Sequence, residues 1–314
     1  MSKKVLITGA KGFIGRHVLR SALTKPTVRV RMIYRTPEAP EGQGVEAVRA
    51  DLTDPASLRG ACEGVDALVH CASRVEGNAR TLRAVNDAGT RALVDEAVRH
   101  GVRRIVYVST ASVYGRGPFL GAGPEDLVPA PASATSRARA AAERHVLAAG
   151  GTVLRPHLVY GTGDRWMLPG LAGLLRFLGA GVACSSVHSA VDVAALAEVA
   201  VAAALADHDV PPVLHVGHPR PVSSAALVGL LVEPLGLAGG AFLSLRRARE
   251  RVEGFPTALH HLDMLAADHW FAGAHVWREL GCDPGPAPAA GLAAHLQWYG
   301  PLLREGAPTG CGAR

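Results

Sequence analysis

Short apolar runs rich in β-branched residues alternate with stretches of helical periodicity along most of the chain. The apolar runs share the length and composition of buried strands and lie at 5–7, 28–34, a short segment ending at Ala50, 67–70, 105–108, 152–154 and 213–216. Helical stretches are predicted near 13–23, 79–100 and 136–149. Continuous apolar strands separated by helices indicate a parallel sheet with both faces covered. The pattern predicts an α/β fold with a doubly wound sheet of about seven parallel strands.

A glycine-rich turn joins the first predicted strand to the first predicted helix. Gly9, Gly12 and Gly15 fall three residues apart in this turn. The first glycine permits the tight bend, the second lets a pyrophosphate approach the backbone, and the third allows close packing of helix and strand. The helix N-terminus then offers free N–H groups and a positive dipole end to the phosphates. Because strand, glycines and helix occur in this order, the segment predicts a dinucleotide-binding Rossmann domain.

The second half of the chain is less regular and contains many prolines and glycines. Two structured insertions, 161–181 and 217–314, are predicted to form a smaller C-terminal substrate-binding lobe. The Rossmann domain is expected to span 1–160 and to be completed by about 182–216. We expect the substrate to bind in the cleft between the domain and the lobe.

The spacing Gly-x-x-Gly-x-x-Gly resembles that of the extended short-chain dehydrogenase/reductase family, which includes nucleotide-sugar epimerases and dihydroflavonol-type reductases. The resemblance continues along nearly the whole chain. Further segments that match the family's signatures in order are Asp51-Leu52, Cys71-Ala72-Ser73, 86–90, 106–115, 154–161, 279–281 and Trp298-Tyr299. The cofactor-binding residues that the resemblance implies are Gly9, Lys11, Gly12, Phe13, Ile14, Gly15, Arg35, Asp51, Leu52, Cys71, Ala72, Ser73, Arg139 and Pro156.

The end of the second predicted strand bears on the choice between NAD and NADP. An acidic residue there would bind the ribose 2′-hydroxyl of NAD, whereas this chain has Tyr34-Arg35. Arg35 can clamp a 2′-phosphate, which predicts NADPH as the cofactor. Lys11 in the glycine turn could add to the phosphate site. For both side chains the alternative is an ordinary solvated position.

The family's chemistry uses a Tyr-x-x-x-Lys pair on the helix after the fifth strand, and this chain lacks the pair. All four lysines lie at or before position 25, so none of the five tyrosines is followed by a lysine four residues later. Aligned on the family pattern, Thr135 occupies the tyrosine position and Arg139 the lysine position. A threonine hydroxyl is a poor general acid, and arginine keeps its proton. Arg139 can still bind ribose hydroxyls.

Four residues are the candidates for catalysis, namely Thr110, Thr135, Arg139 and His157. Thr110 matches the family's catalytic Ser/Thr position, with Ser112 as a nearby alternative. Both hydroxyls could instead cap local backbone. His157, which follows Arg155-Pro156, is a candidate substitute acid, as is Tyr114, although both also fit ordinary packing. His188 and His145 are weaker candidates.

Three interpretations of the missing pair remain open. The chain is an active ketoreductase whose proton comes from elsewhere, an inactive fold retained as an NADP(H)-binding regulatory or sensor protein, or a reductase with a substitute acid. An epimerase of sugar nucleotides fits less well because that chemistry needs the tyrosine as a base. The elaborated C-terminal lobe favours a substrate pocket and therefore catalysis.

A substrate that carries its own proton donor would explain the missing tyrosine. Aromatic polyketide quinones often hold a phenol beside the carbonyl, and intramolecular proton delivery has a high effective molarity. The chain thus resembles an atypical family member that acts as a tailoring ketoreductase on an angucyclinone-type antibiotic. The expected small-molecule substrate is an aromatic polyketide.

Composition excludes several other classes of protein. Of the 314 residues, 48% are hydrophobic and 19% charged, a balance that indicates a packed core. The net charge of +6 is dispersed over single basic residues and pairs, so we expect no nucleic-acid partner. Uninterrupted apolar runs are too short for a membrane span, and we expect no membrane association.

The five cysteines are scattered and no pair has zinc or redox spacing. They are interpreted as reduced thiols of a cytoplasmic protein, and no metal site is expected. The N-terminus lacks the long apolar region of a signal peptide. The sequence leaves the oligomeric state open.

Overall fold

The computed structural model describes residues 2–35 and 44–305, and its centre is a seven-stranded parallel sheet. The strands of the structure are β1 (Lys3–Thr8), β2 (Val28–Tyr34), β3 (Val45–Arg49), β4 (Ala67–His70), β5 (Arg104–Val108), β6 (Phe119–Ala122), β7 (Thr152–Pro156), β8 (Leu158–Tyr160), β9 (Gly181–Ala183), β10 (Val187–His188), β11 (Ala190–Asp192), β12 (Val213–Val216), β13 (Val222–Ser223), β14 (Phe242–Ser244) and β15 (His269–Phe271). The central sheet has the order β3-β2-β1-β4-β5-β7-β12, and all its pairs are parallel. Each of the seven predicted runs is one of these strands, so the predicted sheet is confirmed.

Helices cover both faces of the central sheet, as the doubly wound prediction requires. The α-helices are α1 (Phe13–Leu23), α2 (Ala79–Leu82), α3 (Gly89–Arg99), α4 (Ala134–Ala148), α5 (Met167–Leu178), α6 (Val193–Leu205), α7 (Ser224–Val232), α8 (Leu245–Val252), α9 (Pro256–Ala266), α10 (His275–Glu279), α11 (Pro288–Ala294) and α12 (Leu296–Glu305). A π-helical segment, Arg83–Ala88, connects α2 to α3, and a 3₁₀ turn at Ala111–Tyr114 follows β5.

Two hydrophobic clusters, one on each face, hold these layers together. On one face α1 and α6 bury Val18, Ala22 and Leu196 against Val5 and Ile7 of β1. On the other face, the second cluster packs residues of α3 and α4 against Leu6, which lies between Val5 and Ile7 in β1. Alternate residues of β1 therefore serve opposite faces, the period expected of a strand buried on both sides.

A third hydrophobic cluster lies outside the central sheet and gathers residues from the second half of the chain. It combines α5, α7, α8, α9 and α12 around Leu168, Leu231 and Leu262. Short strands accompany it in sheets of order β13-β10-β15-β6, β11-β8 and β14-β9. All of these strands except β6 have only two or three residues, too few to leave a periodic pattern in the sequence. Among the described residues, no helix is both long and apolar enough to cross a membrane.

Candidate active site

Two cavities lie at the carboxyl ends of the central strands, where open α/β sheets bind ligands. The first, called here the glycine-loop cavity, has a volume of about 350 Å³. The second, called the apolar cavity, has a volume of about 460 Å³. Residues next to each other in the chain line the two cavities. Gly12 and Arg74 line the glycine-loop cavity, and Phe13 and Val75, which follow them, line the apolar cavity. The two cavities are therefore adjacent.

The glycine-loop cavity gathers most of the residues that the sequence analysis assigned to the cofactor. The predicted residues in its wall are Gly9, Lys11, Gly12, Arg35, Asp51, Leu52, Cys71, Ala72 and Ser73. They come from the ends of β1, β2, β3 and β4, four neighbouring strands of the sheet. The parallel topology alone explains why residues far apart in sequence meet here.

The glycine turn has room for backbone and ligand but not for side chains. Gly9 has φ +68°, in the region that favours glycine, and a Cβ there would lie 2.6 Å from Ala72 N. A Cβ on Gly15 would lie 2.1 Å from Gly9 O, so α1 can approach the turn only with glycine at that position. Helix α1 starts after Gly12 without a side-chain cap or an acidic residue in its first turn. Its N-terminal N–H groups fit a pyrophosphate.

A buried histidine fixes the strand ends beneath this turn. The Thr90 hydroxyl donates to Asn86 O and so accepts from His70 Nε2–H at 2.9 Å. Nδ1 of His70 then accepts from the Thr8 hydroxyl, 2.6 Å away, and Thr8 Oγ1 accepts from the Ala72 amide. Burial lowers the pKa of His70 to about 3, so the ring is neutral.

Arg35 lies at the rim of the glycine-loop cavity and is exposed to solvent. Its Nε is 4.0 Å from Asp51 Oδ2, and 66% of its side chain is accessible. Asp51 is oriented by Thr53, whose amide and hydroxyl both donate to Oδ1. This arrangement leaves the guanidinium available to an anion at the end of β2.

Arg139 lies beside the same cavity, on α4. Its Nη2 donates to Val108 O at 2.6 Å, and the guanidinium carbon is 5.8 Å from the centre of the Tyr107 ring. Burial raises the pKa of the Cys71 thiol to about 12, and the nearby Arg139 charge opposes that rise. Arg139 Nε is buried and has no hydrogen-bond partner. A ribose hydroxyl would satisfy this donor, so the residues present fit the predicted dinucleotide.

The apolar cavity is lined mainly by hydrophobic side chains. Its wall consists of Phe13, Val75, Glu76, Thr110, His157, Leu158, Val159, Asp164, Trp166, Met167, Leu171, His188, Leu227, His261, Met264 and Leu265. No Tyr or Lys occurs among these described residues. Both α5 and α9 contribute to the wall, so the helices of the third cluster close this cavity. A wall of this kind suits a large apolar ligand with few polar groups.

The two predicted catalytic hydroxyls are both engaged with local backbone. Thr110 Oγ1 accepts from the Ser112 amide at 3.1 Å and donates to the Ser112 hydroxyl. Thr110 therefore caps the 3₁₀ turn while it lines the apolar cavity, which combines the two interpretations made from sequence. Thr135 Oγ1 donates to Val75 O at 3.2 Å, and Val75 lines the same cavity.

His157 lies in the wall of the apolar cavity, close to two other histidines. Its ring centre is 5.0 Å from that of His269 and 5.9 Å from that of His188. Burial, followed by the charge that either neighbour would carry, holds the pKa of His157 well below its usual range. The ring is neutral at physiological pH and is a weak proton donor.

Tyr114, the other candidate acid, lies outside that wall in a buried network. Its hydroxyl accepts from Arg155 Nη1 and bonds His215 Nε2, both at 2.6 Å. Arg155 also pairs with Glu143, and both side chains are at most 5% exposed. Because Nδ1 of His215 bonds Ala272 O, the Tyr114 proton points to His215. Tyr114 therefore has a structural role in this network.

Arg139 and four other predicted cofactor residues lie outside the wall of the glycine-loop cavity. Phe13 lines the apolar cavity, Ile14 packs against the core under α1, and Gly15 lies against the glycine turn. Pro156 ends β7 and is buried, and it pairs with Val216 of β12.

Sequence reasoning missed the role of Asp164 in the wall of the apolar cavity. Asp164 accepts from the Trp166, Met167 and Leu168 amides and from the Tyr299 hydroxyl. Those bonds make it the cap of α5, a role that an acidic residue just before an apolar helix could have indicated. His188, a weaker candidate acid in the sequence, also lies in this wall, and its neighbours in space are distant in sequence.

A model of the 3-beta hydroxysteroid dehydrogenase/isomerase family matches residues 6–214 of the chain. The chain belongs to this family. The matched region begins within β1 and ends within β12, so it spans the central sheet. Membership of the 3-beta hydroxysteroid dehydrogenase/isomerase family confirms the predicted relation to extended short-chain dehydrogenases.

Three relatives of the chain carry different names. The 2-alkyl-3-oxoalkanoate reductase of Stenotrophomonas maltophilia is 34% identical over 199 residues, which cover 57% of this chain and 59% of that protein. The 3 beta-hydroxysteroid dehydrogenase/Delta 5-->4-isomerase of Mycobacterium tuberculosis is 28% identical across 96% of this chain and 92% of that protein. Sterol demethylase protein B of Methylococcus capsulatus matches over 36% of its length. The chain thus spans less than two thirds of the length of the 2-alkyl-3-oxoalkanoate reductase and of sterol demethylase protein B.

Solved structures of similar fold include WbmH of Bordetella bronchiseptica in complex with NAD+. It superposes with a TM-score of 0.75 at 21% identity, covering 95% of this chain and 99% of that one. MoeE5 in complex with UDP-glucose and NAD superposes with a TM-score of 0.70 at 24% identity, covering 94% of this chain and 98% of that one. These similarities confirm the Rossmann fold of the chain.

Proposed function

We propose that the chain is an NADPH-dependent ketoreductase that reduces a carbonyl group of a polycyclic aromatic polyketide of the angucyclinone type. The observation that carries the proposal is the pairing of the two cavities. One fits a dinucleotide, and the adjacent one is large, apolar and free of Tyr and Lys among its described wall residues.

The cofactor part of the proposal is supported by three features of the glycine-loop cavity. The uncapped α1 N-terminus and the glycine turn would hold the pyrophosphate, and Arg139 Nε would bind ribose. Arg35 would bind the 2′-phosphate of NADP, at the position where an acid would favour NAD. When bound, NADPH supplies a hydride.

The substrate part is supported by the size and chemistry of the apolar cavity. Helices α5 and α9 supply Met167, Leu171, Met264 and Leu265 to its wall, a surface suited to flat fused rings. The C-terminal lobe of 161–181 and 217–314 is proposed as the substrate-binding unit, although residues 306–314 lie outside the described part of the chain.

Proton delivery is the step in which this chain departs from its superfamily. The Thr135 proton is directed at Val75 O and the Thr110 proton at Ser112, while His157 is neutral. We therefore assign the proton to a phenol of the substrate beside the ketone, which is as acidic as a tyrosine. The emerging alkoxide takes that proton intramolecularly, and the phenolate is reprotonated by water. Thr135 supports the pocket wall through its hydrogen bond to Val75 O, and Arg139 positions the ribose.

The test is the consumption of NADPH against a panel of polycyclic ketones, with cofactor binding measured in parallel. Turnover of ketones that carry an adjacent phenol supports the proposal. Tight NADPH binding without turnover of any ketone would instead favour a regulatory protein that binds NADP(H). We propose a cytoplasmic location, which fits a supply of NADPH.

The protonation step has its own test in a methylated substrate. Blocking the adjacent phenol removes the proton donor, so turnover should fall by about 10²–10⁴, the usual contribution of a general acid. Binding of the methylated ketone should remain measurable. Full activity on that ketone, with loss of activity in His157→Ala, would show a proton donor in the protein.

A further inference from the structure

Three histidines from separate parts of the chain meet at one end of the apolar cavity. His188 of β10 and His269 of β15 pair across adjacent strands, and His157 follows β7. The ring centres are 5.0, 5.9 and 6.0 Å apart. Each ring can place one nitrogen so that the three nitrogens lie within 4.8 Å of one another. His157 and His188 also line the cavity itself.

Each of these rings has one buried nitrogen that makes no hydrogen bond in the described structure. The nitrogens are His157 Nε2, His188 Nδ1 and His269 Nε2. His188 and His269 are only 2% and 4% exposed, so water does not reach these nitrogens freely. Three unsatisfied nitrogens in one cluster are unusual, because buried polar groups are nearly always paired.

Hydrogen bonds on the far side of two rings leave a nitrogen free to carry a lone pair toward the cluster. His269 Nδ1–H donates to Ala267 O at 2.9 Å, so its Nε2 is unprotonated. His188 Nε2 faces the Ser224 and Ser186 hydroxyls, both of which can donate to Leu265 O. With those protons on Leu265 O, Nε2–H donates to a hydroxyl and His188 Nδ1 is unprotonated. Backing bonds of this kind typically orient histidines that bind a metal.

The spacing of the rings is that of imidazoles around one ion. A Zn–N bond of about 2.1 Å, plus about 1.1 Å from nitrogen to ring centre, puts the centres of three ligating rings roughly 5–6 Å apart. The three observed separations fall in this range. The nitrogens lie within 4.8 Å of one another, and the ring planes are 11–20° from parallel, so the rings must rotate to direct three lone pairs at one ion.

We propose that His157, His188 and His269 bind one divalent transition-metal ion, such as Zn²⁺ or Co²⁺. Three imidazoles leave one tetrahedral position open, and two of the three ligands line the apolar cavity, so that position faces the cavity. A carbonyl or phenolate oxygen of a ligand in the cavity would complete the coordination. Metal binding itself does not depend on the proposed ketone reduction, whereas the ligand in the fourth position does.

The test uses the full chain, treated with a chelator, desalted and titrated with Co²⁺ in the absence of NADPH and ketone. We expect a visible absorption band of tetrahedral Co²⁺ that saturates at one equivalent and is abolished by Zn²⁺. His157→Phe should weaken binding by about 100-fold, since loss of one of three ligands removes much of the affinity. His261→Phe, a change in the same cavity wall outside the cluster, is the control and should bind as the unaltered chain does.

Two results would overturn the proposal. One is the absence of a saturable band up to about 1 mM Co²⁺, beyond which affinity is too weak to matter. The other is equal binding by His157→Phe and the unaltered chain. The variant can lose its fold, so X-ray absorption of the Co²⁺ complex of the unaltered chain provides an independent measurement. A coordination shell without imidazoles would also contradict the proposed site. Ketone reduction by the chelator-treated enzyme is measured separately, so failure of either proposal can be recognised.

Discussion

The two cavities are built in different ways, although they share a wall. The glycine-loop cavity depends on backbone geometry that a short segment of sequence specifies: glycines at fixed spacing, one strand and one helix. The apolar cavity depends on side chains from helices and short strands of the second half of the chain. A site specified by backbone geometry can therefore be predicted from a short segment, whereas a site built from side chains of distant elements cannot.

The glycine turn should be the most sensitive part of the molecule. In Gly15→Ala the new Cβ would lie 2.1 Å from Gly9 O, so α1 must move away from the turn that holds the phosphates. We expect NADPH affinity, measured by fluorescence titration, to fall by about 100-fold or more, a loss of at least about 2.7 kcal/mol. Gly173→Ala in α5 meets nothing within 4 Å and is the control. Unchanged binding in Gly15→Ala would show that the turn does not hold the cofactor.

Acid should destabilise the folded chain through the buried histidines of the apolar cavity. Burial lowers the folded-state pKa of His188 to about 4, whereas an unfolded histidine titrates near pH 6.5. Between these values the unfolded chain binds a proton that the folded chain does not, so stability falls as pH drops, by up to about 3 kcal/mol at pH 4.

Urea unfolding of the chelator-treated chain at several pH values measures this effect. Between pH 6.5 and 4, the free energy of unfolding of His188→Leu should fall less steeply with pH than that of the unaltered chain. The slopes should differ by about 1.4 kcal/mol per pH unit, the contribution of one histidine. Above pH 7.5 both states hold a neutral ring, and the two slopes should agree there. An unchanged acid slope in His188→Leu would show that His188 titrates normally in the folded chain.

Cofactor preference should depend on one exposed side chain. The unaltered chain is expected to bind NADPH more tightly than NADH, and Arg35→Ala should lose about one to two decades of NADPH affinity, the worth of a charged hydrogen bond. Arg29→Ala, at the other end of β2 and also exposed, is the control. Equal affinity of the unaltered chain for both cofactors would remove Arg35 from the site.

The smallest effect is expected at the position of the family's tyrosine. Thr135 donates to Val75 O rather than into the apolar cavity, so Thr135→Ala should keep turnover within about tenfold, short of the loss expected for a general acid. Thr135→Tyr should not raise turnover, because Arg139 cannot tune the new phenol as a lysine would. A gain in turnover on introducing the tyrosine would contradict substrate-borne protonation.

The same difference between the cavities decided how much the sequence could predict. The seven central strands and the glycine turn follow from local periodicity and spacing, and nine predicted residues indeed share one cavity wall. His157 was predicted to be near the substrate and lines the apolar cavity, but its neighbours His188 and His269 are 31 and 112 positions further along the chain. Their meeting depends on β10 and β15, strands too short to leave a periodic pattern.

Hydrogen-bond partners were the other feature that the sequence could not supply. The choice between catalysis and capping for Thr110 rests on the Ser112 amide, and the role of Tyr114 rests on Arg155 and His215. Residue type alone allowed each alternative. Only the folded chain shows that both hydroxyls already have partners.

The most direct test of the central claim is transfer of deuterium from NADPH labelled at C4. The chain is incubated with a polycyclic ketone that carries an adjacent phenol, each C4 face being labelled in turn, and the product is analysed by mass spectrometry. We predict that one label, and only one, appears on the carbinol carbon, and that Thr135→Ala gives the same labelled alcohol. NADPH that binds tightly but transfers no deuterium to any ketone would contradict the account.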